Sequence, residues 1–177
     1  MKLEEENKGQ LLDYAMKAGL LLGIFWVFKY LFVIFGAAHP AINIVGSMLG
    51  LGTPILLFYL LAKYNTSRMN NQMRYWQGVR FSVLLFFFAS ILEALVVFIH
   101  VRWIDPVFIA NLYENMVELA QAFELSKTLT AQLAEQPLPD PFSYIFSNVI
   151  MANVFLGLVL SLVVVPLALR HKPRQKN

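Results

Sequence analysis

The chain has 177 residues, of which 58% are hydrophobic and 14% are charged, and its mean hydropathy is +0.60. Because soluble domains carry about 25% charged residues, this composition excludes an ordinary soluble domain and favours a membrane protein. The sequence contains no cysteine, which excludes disulfides, thiolate metal sites and cysteine nucleophiles. A net charge of +3 is also found in nucleic-acid-binding proteins, but the basic residues here lie next to apolar runs, so we expect no nucleic-acid partner.

The first apolar run, residues 18–38, carries Lys29 near its middle. The residues before it lack the basic start and the cleavage site of a signal peptide, so we predict a retained membrane span. The second predicted span, residues 42–62, holds no charged residue. Small residues and a proline lie along one side of it, namely Gly46, Gly50 and Pro54. Such a stripe lets membrane helices approach each other closely, and we expect Pro54 to kink the span.

The third predicted span, residues 81–101, is almost continuously apolar but contains Glu93 and His100. At about 100° per residue, Ser82 and Ser90 fall on the same side of the helix as these two ionisable residues. The opposite side is aliphatic and aromatic. We therefore expect one side to face lipid and the other to face protein or a hydrated cavity.

Residues 102–142 form a long polar segment before the fourth apolar run. Asp105 and Pro106 have the form of an N-cap followed by proline at the first helical position. They predict an amphipathic helix of about five turns, with a break near Ser126. This helix could lie on the membrane surface, but its acidic polar face would be repelled by anionic headgroups, so we expect it to cap the bundle or dock on a partner.

The fourth predicted span, residues 144–169, contains Asn153 and Gly157 along one stripe, with Gly157 predicted as a helix-packing residue. Basic residues cluster before the first span, between the second and third spans, and after the fourth, whereas the long loop is mainly acidic. The positive-inside rule therefore predicts cytoplasmic termini and an extracytoplasmic loop. Together these patterns predict one all-α membrane domain over residues 1–177, with four spans and an outer amphipathic helix.

In this topology the first and third spans run in the same direction. Lys29 and Glu93 then each lie about 17 Å from the cytoplasmic boundary, and Asn153 reaches a similar depth from the other side. A lone lysine at the bilayer centre costs about 2.5–3.5 kcal/mol on insertion scales. We therefore expect Lys29 and Glu93 to face each other, with Asn153 as a hydrogen-bond partner.

Several roles for this pair stay open. It could fix the order of the helices or a dimer seam, carry a proton or an ion, or recognise a partner. Alternatively, Lys29 could reach the interface or lie over aromatic rings without meeting Glu93. His100 lies near the outer boundary on the same face as Glu93, where it would suit either a proton relay or a simple interfacial position.

Metal sites and enzymatic activity are not expected. His39, His100 and His171 lie at different levels, and no histidine pair has ligand spacing, so we predict no metal site and no cofactor. The sequence has neither a nucleophile elbow nor a paired-histidine zinc motif, so we predict no catalytic residues.

The segment Tyr75–Ile109, YWQGVRFSVLLFFFASILEALVVFIHVRWIDPVFI, resembles the signature of a small bacterial membrane family, domain of unknown function family 4199. The pattern is an aromatic lead, a Phe-Ala-Ser span, and an aromatic-Ile-Asp-Pro step into an outer helix. The resemblance extends over about residues 15–169 in span order and loop length. It implies four inner-membrane spans and no assigned activity.

We therefore expect a multi-pass protein of the bacterial inner membrane, surrounded by the lipid bilayer. The leading functional hypothesis is an accessory or scaffold subunit that binds another envelope protein and also forms a homo-oligomer. The alternative is a small proton- or ion-coupled transporter or channel subunit that uses Lys29, Glu93 and His100.

Overall fold

A computed structural model of the chain describes residues 2–36, 40–123, 130–131 and 135–171. The described part is helical and contains no strand. Four of its segments are long and apolar enough to cross a membrane: Gly9–Gly36, Ile44–Arg68, Tyr75–Ile104 and Pro141–Arg170. The predicted all-α class and the four spans are therefore confirmed. The end of the first predicted span, residues 37–38, lies outside the described residues, as does His39.

The helices extend beyond the apolar stretches that predict them. They are α1 (Lys2–Gly36), α2 (Pro40–Leu49), α3 (Gly52–Arg68), α4 (Tyr75–Ile99), α5 (Phe108–Ala122), α6 (Pro141–Ile145) and α7 (Ala152–Arg170), with π-helical segments His100–Ile104 after α4 and Phe146–Met151 between α6 and α7. Hydropathy marks only the apolar part of a helix, whereas backbone hydrogen bonding continues into the polar flanks. The first span therefore starts well before residue 18, and the second ends after residue 62.

The second span is interrupted one turn before Pro54, so the predicted disturbance by this proline takes the form of a break between α2 and α3. Gly50 and Leu51 separate α2 from α3, and their amides donate to carbonyls three residues earlier at 3.0 and 3.1 Å. Proline has no amide hydrogen, and its ring collides with the carbonyl four residues before it, which here belongs to Gly50. The α-helix therefore stops before that carbonyl, and Pro54 lies in the first turn of α3, where proline is tolerated.

Asp105 and Pro106 do not start α5 as predicted. Asp105 ends the π-helical turn after α4, with its amide donating to the carbonyl of His100 at 2.8 Å. Because Asp105 makes the last hydrogen bond of this turn, α5 starts only at Phe108, and no side chain caps it. It has 15 residues, which is about four turns and not five. The predicted break near Ser126 lies outside the described residues.

The cap-and-proline pattern operates instead at Asp140 and Pro141. The Asp140 carboxylate accepts hydrogen bonds from the amides of Phe142 at 3.0 Å and Ser143 at 3.1 Å, and from the Ser143 hydroxyl at 2.6 Å. The hydroxyl contact, followed by the amide contacts, lowers the pKa of the Asp140 carboxyl below its usual value. This second Asp-Pro step follows an extended segment, so it is free to start a helix, whereas the first one follows a helix that has not yet ended.

The central helix of the bundle is α4, which packs against α1 and α7. The contacting pairs advance together along α1 and α4: Gly19 with Leu85, Gly23 with Ala89, and Tyr30 with His100. They run oppositely along α4 and α7: Glu93 with Asn153, Phe86 with Gly157, and Gly78 with Val165. Thus α1 is parallel to α4, as predicted for the first and third spans, and α7 is antiparallel to it.

Two glycines of α1 bring its backbone against α4. A β-carbon built at Gly19 would lie 2.6 Å from Cβ of Phe88 and 2.9 Å from the carbonyl oxygen of Leu85. One built at Gly23 would lie 2.6 Å from Cδ1 of Leu92. The four-residue spacing of these glycines is the motif that lets membrane helices approach closely. The predicted stripe at Gly46 and Gly50 therefore has a counterpart in α1.

Two clusters of buried apolar residues fill the bundle on either side of Glu93. The first includes Trp26 and Phe86 and occupies the half that ends at the α3–α4 loop, residues 69–74. The second includes Ile109 of α5 and occupies the other half. We refer to these two halves as the loop end and the α5 end. The Glu93 carboxylate thus lies at a level between two hydrophobic halves.

Exposed tryptophans mark both ends of the third span. Trp76 is 67% exposed and Trp103 is 68% exposed. About 27 residues separate them, or about 40 Å along an α-helix, which matches the thickness of a bilayer including its headgroup regions. Because tryptophan is enriched at both membrane–water interfaces, this spacing supports a membrane-spanning α4.

Candidate intramembrane polar site

Glu93 lies between the two hydrophobic clusters and is 7% exposed. One carboxylate oxygen accepts a hydrogen bond of 2.6 Å from the side-chain amide of Asn153. The other oxygen lies 3.9 Å from Nζ of Lys29, which is an ion-pair distance but too long for a direct hydrogen bond. The first, third and fourth spans therefore each supply one polar group at the same level, as the argument from equal depth predicts.

Lys29 divides its contacts between Glu93 and an aromatic ring. Its Nζ lies 5.7 Å from the centroid of the Trp26 ring, within the range of a cation–π contact. About a quarter of the side chain (27%) is exposed. The lysine also lines a groove of about 290 Å³ whose walls include Gly46 and Gly50 of the second span. Pairing with Glu93 and stacking over a ring, which the sequence presents as alternatives, thus occur together.

His100 turns into the bundle. It is only 3% exposed, and its Nδ1 is hydrogen-bonded to the hydroxyl of Tyr30 at 2.8 Å. The ring of Phe108 packs against it, with centroids 4.8 Å apart. His100 therefore faces the protein interior and not the interface, and it is joined through Tyr30 to the space beside Glu93.

The serines on the polar face of α4 do not extend this network. The Ser82 hydroxyl donates to the carbonyl of Gly78 at 2.9 Å, and the Ser90 hydroxyl donates to the carbonyl of Phe87 at 2.7 Å. Both hydroxyl hydrogens are thus used by the helix backbone, a common arrangement for serine within membrane helices. Both serines therefore act mainly as small packing residues.

A cavity of about 190 Å³ adjoins Glu93 and Asn153. Its other polar walls are Tyr30, Tyr144 and Asn148, and two valines complete it. Since one water takes about 30 Å³ in the liquid, the cavity has room for about six waters, and the surrounding polar groups supply the hydrogen bonds that buried water needs. The carboxylate at the centre of the span therefore has beside it a space suited to water.

Sequence reasoning missed Tyr30, Tyr144 and Asn148. The first follows Lys29 directly, and a search for polar aromatic residues near the buried charge would have found it. Asn148 was harder to find, because residues five apart, as Asn148 and Asn153 are, point about 140° away from each other on a regular α-helix. The π-helical segment Phe146–Met151 adds an extra residue to the turn and brings the two side chains to one cavity.

Two of the residues predicted for helix packing make tight contacts with a neighbouring helix. A β-carbon at Gly46 would lie 2.9 Å from Cβ of Phe32, so α2 packs closely on α1. A β-carbon at Gly157 would lie 2.6 Å from the ring of Phe86, so α7 packs closely on α4. Gly50, by contrast, forms the break before Pro54. Asp105 and Pro106 lie between α4 and α5, and the amide of Asp105 donates to the carbonyl of His100.

No three histidine or acidic side chains of the described residues come together in a way that could hold a metal ion. The polar site also contains a lysine ammonium next to its one carboxylate. Because that ammonium would repel a metal cation, the donor set favours protons, water or an uncharged polar group over a metal ion.

Comparison with known proteins places the chain in a family. The family described as Protein of unknown function (DUF4199) matches residues 17–165, which include the first three predicted spans and all of the fourth except residues 166–169. Neither a curated protein nor a solved structure matches the chain.

Proposed function

Because the chain belongs to the DUF4199 family of unknown function, we propose a function from the polar site itself: the protein binds and releases a proton at Glu93 and so carries protons across the membrane. The observation that carries this proposal is the polar cavity of about 190 Å³ beside the Glu93 carboxylate. A carboxylate can exchange protons only where water or another acceptor reaches it. The function is non-enzymatic, and the protein is a small transporter or a subunit of one.

The contacts of Glu93 support exchange better than permanent neutralisation. A purely structural ion pair in the interior needs close geometry, since the loss of hydration of both charges must be offset by direct hydrogen bonds. Here the ammonium of Lys29 is 3.9 Å away, and the direct hydrogen bond comes from the neutral amide of Asn153. The amide can also accept a hydrogen bond through its oxygen after a reorientation, so it can serve both protonation states of Glu93.

We expect the reconstituted protein to carry protons across liposome membranes down an imposed pH gradient, and Glu93→Gln to reduce that flux by at least about tenfold. Glutamine keeps the shape and the hydrogen bond to Asn153, but it cannot take up and release a proton. The rate of internal acidification, read with an entrapped pH-sensitive dye, measures the effect.

The matched control is Glu118→Gln, which makes the same chemical change at an exposed position of α5 and should leave the flux unchanged. Equal flux in the Glu93→Gln protein and the unaltered protein would overturn the proposal. So would flux through the unaltered protein no faster than through empty liposomes.

A second candidate function is an accessory subunit that binds another envelope protein through α5. Only Ile109 and Ala120 of this helix are buried. Its apolar face continues into three exposed residues on one flank: Met116 at 46%, Leu119 at 56% and Phe123 at 75% exposure. A flank of this kind favours docking on a partner over complete capping of the bundle.

We expect Met116→Glu to weaken association with the partner, or with a second copy of the chain, by at least about tenfold. A charge on the flank must be desolvated on docking, and that cost exceeds about 1.4 kcal/mol, which is a tenfold change in affinity. Glu118→Ala, on the polar face of the same helix, should change association little. Cross-linking in native membranes followed by size analysis compares the two, and equal bands for both variants would contradict docking through this flank.

We also propose that the protein resides in the bacterial inner membrane with both termini in the cytoplasm. An even number of spans keeps the two termini on one side. The basic residues near the loop end, which include Arg68, Arg74 and Arg80, support a cytoplasmic loop end through the positive-inside rule. Under this orientation α5 and the acidic loop are extracytoplasmic.

A further inference from the structure

We propose that Glu93 is reached by water and protons from the α5 end of the bundle only, and that a ring contact between Trp26 and Phe86 closes the path toward the loop end. This inference rests on the proposed function and adds the side from which the site is loaded. It also separates a transporter, which opens to each side in turn, from a channel with a continuous pore.

Every described wall of the cavity lies level with Glu93 or nearer to the α5 end. Val97 is one helical turn beyond Glu93 in that direction. Tyr144 and Asn148 precede Asn153 on a span that enters from the α5 end, so Tyr144 lies about 13 Å closer to that end than Asn153. The cavity is therefore a vestibule that leads from the α5 end to the middle of the membrane.

The break in the second span accounts for this vestibule. At the loop end, α3 packs against α7, so the bundle is filled on that side. On the other side of the break at Gly50 and Leu51, toward the α5 end, α2 packs against α1 instead. There Gly46 of α2 contacts Phe32 of α1. Because α2 has been diverted to α1, the space between Tyr30 of the first span and Tyr144 of the fourth is left to the cavity.

On the loop side of Glu93 the bundle is closed by aromatic rings. Phe86 lies two turns before Glu93 on the same face of α4 and is completely buried. Its ring meets the Trp26 ring edge-on, with centroids 5.1 Å apart, and leaves no room for a β-carbon at Gly157. The indole nitrogen of Trp26 donates to the hydroxyl of Thr53 at 3.1 Å, which holds the Trp26 ring in place across the bundle.

The proton step that this arrangement permits is a simple transfer. A hydronium ion in the vestibule gives its proton to the Glu93 carboxylate, leaving a neutral carboxylic acid and a water molecule, while Lys29 keeps its own proton. Tyr30 lines the vestibule and is hydrogen-bonded to His100 nearer the α5 end. These two residues are therefore placed to pass protons between the α5 end and the carboxylate. Release to the loop end requires the Trp26 and Phe86 rings to separate.

The absence of cysteine from the sequence makes a direct test simple, because every single-cysteine variant then carries one thiol. The variants Asn148→Cys and Asn153→Cys report on the vestibule, and Ser161→Cys, a fully buried position, reports on the closed half. Glu118→Cys on α5 and Gln72→Cys in the α3–α4 loop mark the two sides, since both residues are exposed. A small, membrane-impermeant thiosulfonate is added to one side of sealed vesicles, where it reacts only with thiols that water can ionise.

We expect Asn148→Cys and Asn153→Cys to react from the Glu118 side at least about tenfold faster than from the Gln72 side, because the thiolate forms only where water is present. Ser161→Cys should react from neither side. Labelling of Asn153→Cys from the Gln72 side would overturn the inference. So would the absence of any reaction from either side in a protein that remains monodisperse in detergent. Asn148→Cys does not touch Glu93, so it keeps the test valid if Asn153→Cys fails to fold.

The outcome is distinct from that of the flux experiment. If Glu93→Gln abolishes flux and Asn153→Cys reacts equally from both sides, proton binding at Glu93 stands and one-sided access is wrong. If the labelling is one-sided and Glu93→Gln leaves flux unchanged, the vestibule exists but the proposed function of its carboxylate is wrong.

Discussion

Replacing Glu93 by leucine is expected to destabilise the folded bundle by about 3 kcal/mol, because it leaves the ammonium of Lys29 in the middle of the membrane without its carboxylate partner. The cation–π contact with Trp26 and the 27% exposure of the Lys29 side chain keep the loss from being larger. Lys29→Leu should cost a similar amount, since Glu93 then keeps only the amide of Asn153. Unfolding of the purified protein in mixed detergent micelles measures both changes.

The double variant Lys29→Leu/Glu93→Leu is expected to cost much less than the two single changes added together, because no unpaired charge remains and leucine suits the surrounding hydrocarbon. The remaining cost comes from Asn153, whose side-chain amide loses its acceptor. A buried polar group left without a partner costs about 1–3 kcal/mol. The coupling energy between the two sites should therefore be at least about 2 kcal/mol. Strictly additive single effects would mean that the 3.9 Å contact contributes nothing to stability.

The same double variant separates stability from function. Under the proposed function it folds but carries no protons, because the carboxylate that takes up and releases the proton is gone. Under the hypothesis of purely structural pairing it folds and keeps whatever activity the protein has. Measuring flux and stability on one preparation thus distinguishes the two roles that the sequence leaves open.

The second large effect is expected at Gly19, where alanine should destabilise the bundle by about 2–3 kcal/mol. The added methyl group would overlap Cβ of Phe88 at 2.6 Å and the carbonyl oxygen of Leu85 at 2.9 Å. Both atoms are fixed to the backbone of α4, so the whole helix must move to make room. The loss is again measured by unfolding in mixed micelles.

Two matched substitutions on the same helix test this explanation. At Gly23 the nearest atom is the end of the flexible Leu92 side chain, which can rotate away, so Gly23→Ala should cost less than Gly19→Ala. At Gly9 no atom lies within 4 Å, so Gly9→Ala should stabilise α1 by up to about 1 kcal/mol through helix propensity. Equal effects at all three glycines would indicate a backbone property of α1 and not close packing against α4.

Several features of the fold follow from local patterns. The apolar runs predict the four spans because a helix is the form in which a single segment satisfies its own backbone hydrogen bonds in lipid. The depth of Lys29, Glu93 and Asn153 along their spans follows from a fixed rise per residue and the alternating direction of consecutive spans. These are one-dimensional properties, so the sequence predicts that the three polar residues share one level.

Local signals failed where two elements compete for the same residues. The Asp-Pro step at Asp105 satisfies the rules for a helix start, yet the amide of Asp105 already closes the π-helical turn from His100 to Ile104. The step at Asp140 satisfies the same rules and does start a helix. Likewise Pro54 predicts a disturbance in the second span, but the break lies one turn earlier, where the ring of Pro54 would collide with the carbonyl of Gly50 in a continuous α-helix.

The sequence by itself thus determined that this is an all-α protein with four spans and a buried polar layer, because hydropathy and helical rise depend only on residue order. Only the tertiary structure decided that a cavity lies on one side of Glu93 and aromatic rings on the other. The cavity depends on where α2 leaves the bundle and on the extra residue in the Phe146–Met151 turn, and both are fixed by packing between helices distant in sequence. A periodicity of 3.6 residues carries no information about such contacts, which is why Tyr144 and Asn148 became recognisable as part of the site only in three dimensions.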